Sequence, residues 1–394
     1  MTSIQQKWDE FIKTKLPSYK EERWKYADLS FLKQNTYTLA KKIESDDLMD
    51  VIHQHRLQNC ESILIVIVNG YYMPHLSDLT KLPENVIVQN FSRDIPLPQS
   101  MNKINYAFAN FNAENFTDGL VLRVPDKCKL IMPIHLLSLT LGDDQPIIQP
   151  RNYIALGQDS ELTIAEEHFS YSEQTYVVNM VTTISIEKNA ILNHYKIQRE
   201  GEQAAHIAST FVYQKQNSNT SFMNISMGSV FARDDLVIHL QEAGANCYTS
   251  GFYRLRINNQ YIDNHVDINH EAAHSTSDML YKGIVDANAK AVFNGRLHVE
   301  KDAQKIIAYQ ANHHLLLSKG AEAYSKPELE IYADDVKCKH GATTGQLDQD
   351  ALFYLRSRGI EKTEAMRLLL QGFAEEILNR IMHPGIKACI QEIL

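Results

Sequence analysis

Tyr153-Ile-Ala-Leu-Gly-Gln-Asp159-Ser160 and Ile184-Ser-Ile-Glu-Lys-Asn189-Ala190 share one plan: a β-rich run, then a turn of one Asx residue and one small residue. The turn recurs as Asn219-Thr220, Gly244-Ala245, Asn288-Ala289, Asp302-Ala303 and Gly320-Ala321, at intervals of 30, 30, 25, 44, 14 and 18 residues. Asn, Asp and Gly tolerate the left-handed backbone that a tight corner needs. A small residue after it lets neighbouring coils stack closely. Short β-rich runs lie between the turns, at 120–124, 153–156, 177–186, 211–213, 236–240, 291–299 and 329–332. This imperfect period points to a mainly β protein with a parallel β-helix core over 116–345, each coil burying its inward residues against the next. An ordinary β-sandwich with hairpins would place turns every ~8–12 residues. Several of the intervals are about twice that, which favours the solenoid.

The flanks read differently. Residues 1–115 form a mixed, largely helical region. Ile4, Trp8, Phe11 and Ile12 give one helical face that Pro17 closes. Residues 63–68, Ile-Leu-Ile-Val-Ile-Val, predict a buried strand ending at the turn Asn69-Gly70. A second helix is expected over 103–113. Residues 346–394 switch to helical periodicity. Leu352, Phe353 and Leu355 lead to a helix stop at Gly359, and Met366, Leu369, Leu370, Phe373, Ile377 and Ile381 follow at spacings of three and four. Pro384-Gly385 breaks that helix. No Gly/Ser/Pro-rich linker separates the regions, so they are expected to pack as one body.

The chain has 394 residues and a formal charge of −9, without the basic stripe of a nucleic-acid binder. Its five cysteines, Cys60, Cys128, Cys247, Cys338 and Cys389, are odd in number and form no CxxC pair. A disulfide framework or zinc ribbon is therefore not expected, and a reducing compartment is. The N-terminus lacks an apolar core of signal length, and the longest apolar run is 63–68. A membrane helix needs ~20 apolar residues. The expected location is the cytoplasm.

Two constellations could carry chemistry. His270-Glu271-Ala-Ala-His274 matches the HExxH signature of a zinc-dependent hydrolase. That chemistry needs a helix, because only i, i+4 spacing on a helix puts both imidazoles on one metal, with the glutamate as general base. Here Val266 and Ile268 alternate with Asp267 and Asn269, a strand pattern. On a strand the two histidines lie ~13 Å apart, so the context argues for a structural role. Cys338-Lys339-His340 follows a strand-like run. Positions i and i+2 of a strand share a face, which sets a thiol beside an imidazole, both good ligands for iron or zinc. Two ligands leave a site open, so others would come from a second chain. Gly341 leaves room for a close-approaching partner or a turn. His313 and His314 are adjacent, face opposite ways on a strand and cannot share a metal. The sequence has no GxxxxGK[ST] phosphate loop, no GxGxxG after a strand and no GxSxG elbow, which leans towards a scaffold rather than an enzyme.

Several segments resemble the SufB/SufD family of iron–sulfur cluster assembly scaffolds. The densest is Lys326-Pro-Glu-Leu-Glu-Ile-Tyr-Ala-Asp-Asp-Val-Lys-Cys338-Lys-His340-Gly-Ala-Thr343, followed by Gly345-Gln-Leu-Asp348 and by Leu352-Phe-Tyr-Leu-Arg-Ser-Arg-Gly-Ile360. Glu22-Arg-Trp-Lys-Tyr26, Val68-Asn-Gly70, Asp118-Gly-Leu-Val-Leu122, Val292-Phe-Asn-Gly295 and 312–317 extend it nearly end to end. Gly341, where SufB carries Glu, and the low cysteine count match the SufD branch. The resemblance implies a right-handed parallel β-helix with helical N- and C-terminal regions. It implies a non-enzymatic subunit that pairs with SufB and docks the ATPase SufC on its C-terminal helices, with no nucleotide site of its own. It implies a transient cluster at the SufB interface, His340 being the implicated residue and Cys338 its neighbour. Phe353, Tyr354, Arg356 and Arg358 are the anchors expected to meet SufC, since aromatic and arginine residues are enriched at binding hot spots. Without SufB, the same edge predicts a homodimer.

Overall fold

The recurring turns are corners of a β-solenoid. The computed structural model describes residues 4–43, 48–58, 60–95, 106–142 and 145–394. Its strands fall into two sheets, of 11 and 10 strands, and successive coils lie side by side in parallel pairing. In the first sheet Tyr176–Ile186 is followed by Ala204–Gln214, Phe231–Leu240, Tyr261–His270, Lys290–Val299 and Glu322–Ile331. In the second, Glu161–Ser170 leads through Ile191–Arg199, Asn219–Ser226, Asn246–Leu255, Thr276–Val285 and Ile306–Leu316 to Val336–Gln346. The parallel β-helix read from the turn spacing is present, with about seven coils.

A single hydrogen-bond pattern makes one column of corners. Lys127, Asp159, Asn189, Asn217, Gly244, His274 and Lys305 take φ of 54° to 76°. Each donates its backbone N–H to a carbonyl of the next coil, as Asp159 does to Lys188 at 3.0 Å and His274 to Gln304 at 2.9 Å. The small residues that follow, Ser160, Ala190, Ser218, Ala245 and Ser275, are buried. Three expected turns are displaced. Asn219-Thr220 begins a strand, and the corner sits at Asn217-Ser218. The left-handed residues near Asn288 and Asp302 are Ala287 and Lys305. At Lys305 the N–H must reach Asp335 on the next coil. That bond fixes the backbone where the residue's own preference does not.

Inside, like residues stack in register. Ile154, Ile184, Val212, Ile238, Ile268 and Leu297 form one aliphatic column down the first sheet, all buried. Burial of each side chain contributes about 1.5–3 kcal/mol. Outside, helices cover both sheets. Trp8, Phe11 and Ile12 of the helix Ile4–Thr14 join Ile207, Phe231 and Tyr261 on the first sheet. Leu370, Ala374, Ile377 and Leu378 of the helix Lys362–Leu378 join Tyr195, Ile197, Phe252 and Leu280 on the second. The buried stripe is rotated from the one read by spacing, for Ala365 and Ala374 let the helix sit close while Met366, Leu369 and Phe373 stay half-exposed. The expected helix over 103–113 is found at Ala107–Asn115, its first three positions lying outside the described residues.

The segment Glu22 to Tyr26 straps the first sheet. Arg23 meets Asp267 at 2.9 Å, the Arg233 guanidinium lies 3.9 Å over the Trp24 ring, Lys326 meets Glu22 at 2.9 Å, and Tyr26 stacks on Tyr324 at 4.2 Å.

The two ends of the solenoid differ. At the first, Tyr71–Tyr72 and Ile87–Asn90 pair antiparallel with Ile63–Val68 and Leu120–Val124 and close both sheets. Asn69 and Gly70 make the expected turn, at φ 50° and 82°. At the other end, Glu322–Ile331 and Val336–Gln346 each have a strand neighbour on one side only among the described residues.

Candidate functional site

Among the described residues Val336–Gln346 pairs with Ile306–Leu316 and nothing beyond it. Its outer edge therefore presents unpaired N–H and C=O groups over an 11-residue strand, the kind of edge that templates pairing with another chain. The strand alternates across the sheet. Cys338 lies over Ala308 and His340 over Gln310, and these two face the solenoid interior. Cys338 packs half-buried against the interior core, and burial pushes its thiol pKa up. His340 is exposed. The Cys-x-His pattern thus places both side chains on one face at the open end. Gly341 lies inside the strand rather than at a turn, and a Cβ there would meet nothing within 4 Å. Among the described residues no group of three or more His, Cys, Asp or Glu is arranged to hold a metal ion.

Beneath the edge lies a polar interior that the sequence did not announce. The Tyr253 hydroxyl and His314 Nε2 are 2.6 Å apart, and Ser325 Oγ donates to Asn312 Oδ1 at 2.6 Å. His313 faces the other way and meets Thr343 Oγ1 at 2.7 Å. Deeper in, Glu166 is buried between His168 and His194, at 2.8 Å from each. Glutamate and histidine in a strand read from sequence as solvent-facing residues, so only the coil register reveals that these point inward.

The HExxH residues are not brought together. His270 ends the strand Tyr261–His270, and His274 is the left-handed corner of the next turn. Glu271 pairs with His239 at 2.5 Å. His270 is buried between the hydroxyls of Ser275 at 2.7 Å and Ser277 at 2.9 Å. Both ring nitrogens are occupied, no helix presents them, and the hydrolase reading has no site to stand on.

Burial pushes the pKa of His270 down to about 4, and burial with the neighbouring His313 does the same to His314. A histidine held neutral in the fold but free to charge in the unfolded chain favours unfolding as pH falls. This stability is full above pH ~6.5 and is withdrawn down to about pH 4, by on the order of 3 kcal/mol per group. Urea midpoints from pH 7 to 4.5 are expected to fall steadily, and less steeply in His270→Gln. A slope untouched by that change would contradict the assignment.

Phe353, Tyr354 and Arg356 lie on the helix Gln349–Ser357 and Arg358 caps its C-terminal end, with Gly359 next at φ 88°. Leu352 is buried, while Phe353 is 74% and Tyr354 56% exposed. Arg356 and Arg358 are exposed beside them, and Arg358 donates to the Tyr354 hydroxyl at 3.1 Å. Among the described residues no helix is long and apolar enough to cross a membrane.

Comparison with known proteins finds two family models. "SUF system FeS cluster assembly, SufBD core domain" matches residues 139–373, and "SufBD protein N-terminal region" matches 3–136. An iron–sulfur cluster assembly SufBD family protein of Synechocystis is 34% identical over 387 residues, covering 93% of this chain and 84% of the relative. The iron–sulfur cluster assembly protein SufD of Escherichia coli is 28% identical over 384 residues, covering 97% and 89%. The SufD of Bacillus subtilis is 27% identical over 292 residues, covering 70% and 63%.

Proposed function

The chain belongs to the SufBD family of iron–sulfur cluster assembly proteins, and from that premise we propose that it is the SufD-type scaffold subunit of a cytoplasmic SufB–SufC–SufD machine. The observation that carries this reading is the asymmetry of the solenoid: one end is closed by antiparallel strands, and the other ends on two unpaired edges beside Cys338 and His340. SufB pairs along those edges and continues the sheets. Cys338 and His340 then supply part of a ligand set that SufB completes, and the nascent cluster, as cargo, forms at the joint. Iron suits the imidazole and the thiolate. The subunit itself does no catalysis and holds no nucleotide. Alone, it pairs through the same edges with a second copy of itself.

SufC docks on the C-terminal helices, with Phe353, Tyr354, Arg356 and Arg358 as anchors. Two exposed aromatic rings, one of them held by an arginine, fit a binding surface better than a solvated one. ATP-driven closure of SufC would act through the helix Lys362–Leu378, which lies directly on the second sheet. Truncating a hot-spot anchor costs about 2 kcal/mol or more, a weakening of about 30-fold. Phe353→Ala is expected to weaken SufC binding by about that much in calorimetry and to leave folding unchanged. Unaltered affinity would remove this helix from the docking surface.

A further inference from the structure

We propose that Gln310 is a positioning residue for His340: its carboxamide oxygen, which has no partner among the described residues, takes a hydrogen bond from one ring nitrogen once His340 swings over it, fixing the tautomer and turning the other nitrogen towards incoming metal. The proposal rests on the reading of His340 as a ligand, and deepens it.

Met279, Gln310 and His340 occupy one register column of the second sheet. Gln310 is 3% exposed. Its Nε2 donates across the interior to the Gly295 carbonyl at 3.0 Å. A carbonyl can only accept, so that contact assigns which end of the amide is nitrogen. Gly295 makes the crossing possible, because a Cβ there would stand 2.3 Å from Nε2. The amide is thus clamped between the sheets, and among the described residues its oxygen is buried without a hydrogen-bond partner. Buried polar atoms of this kind are rare and call for a cause. Below Gln310 in the column, Met279 is buried and offers no donor. Above it, the next side chain is His340, whose ring carries one N–H when neutral. A histidine that ligates a metal almost always donates its other nitrogen to such an acceptor. Cys338 lies over Ala308 and has no comparable support, so the two candidate ligands differ in how firmly they are held.

The test uses the full chain labelled with 15N-histidine, with His340→Ala assigning the ring signals. The unmutated chain at neutral pH is expected to hold His340 in one tautomer, and Gln310→Met to release it into a mixture. In the complex with SufB, Gln310→Met is expected to lower affinity for iron(II), measured anaerobically by chelator competition, by about 10–100-fold. A mixed tautomer in the unmutated chain overturns the proposal, and this reading needs no variant to fold. If His340→Ala loses iron while Gln310→Met keeps both tautomer and affinity, the positioning role falls and the ligand role stands. If His340→Ala binds iron as the unmutated chain does, the ligand role falls, and the positioning role with it.

Discussion

Arg233→Ala is expected to lower the free energy of unfolding by about 3–5 kcal/mol, the cost of removing one partner from a buried ion network. Arg233 is 1% exposed on the outer face of the first sheet, under the N-terminal strap. Its guanidinium grips Asp235 with two bonds, of 2.8 and 3.0 Å, and reaches Asp263 at 2.8 Å and the Arg23 carbonyl at 2.7 Å. Alanine would leave two carboxylates buried, Asp235 facing Arg23 at 3.6 Å and Asp263 with His265 and Tyr261. It would also strip the cation from the face of Trp24. Total stabilities run to about 5–15 kcal/mol, so the loss is a large share. Arg233→Lys keeps the charge but not the two-pronged grip, and is expected to cost less. Urea unfolding measures both. A loss below about 1 kcal/mol for alanine would mean that the strap does not depend on this network.

His340→Ala has the second large effect, on function rather than stability. The side chain is exposed at the open edge, where a substitution moves stability by about 0.5 kcal/mol or less. Association with SufB and SufC should therefore persist. Cluster yield in a reconstitution with SufB, SufC, iron(II) and sulfide is expected to drop by at least about 10-fold, since losing a ligand outweighs losing a ligand's support. Iron and acid-labile sulfide contents are the readout. Normal yield from a variant that still assembles would remove His340 from the ligand set.

Much of this was legible in the sequence because some positions admit few residues. Asp159, Asn189 and Gly244 stand at left-handed corners that favour Asx and Gly, and they marked the coils. Cys338 and His340 share a face because a strand alternates with period two. The corners at Lys127, His274 and Lys305 were not legible, since there the bond to the next coil, not the residue type, holds the backbone. Nor was the inside of the solenoid distinguishable from the outside. Helices cover both sheets, so a strand such as Tyr176–Ile186 is buried almost throughout and shows no alternation. Polar inward residues such as Gln310, Asn312 and Glu166 then look like surface residues until register fixes their direction. The HExxH pattern misleads for a related reason: five residues that would form one turn of a zinc-binding helix here span a strand end and a coil corner.

In the proposed function the open end of the solenoid is completed by SufB while the C-terminal helices hold SufC. Light scattering on the purified chain mixed with SufB and SufC from the same source measures whether these contacts form. A single species containing all three proteins is the expected result, with the chain alone giving the mass of a homodimer that SufB dissolves. A chain that keeps its own mass in the presence of both partners would contradict the claim.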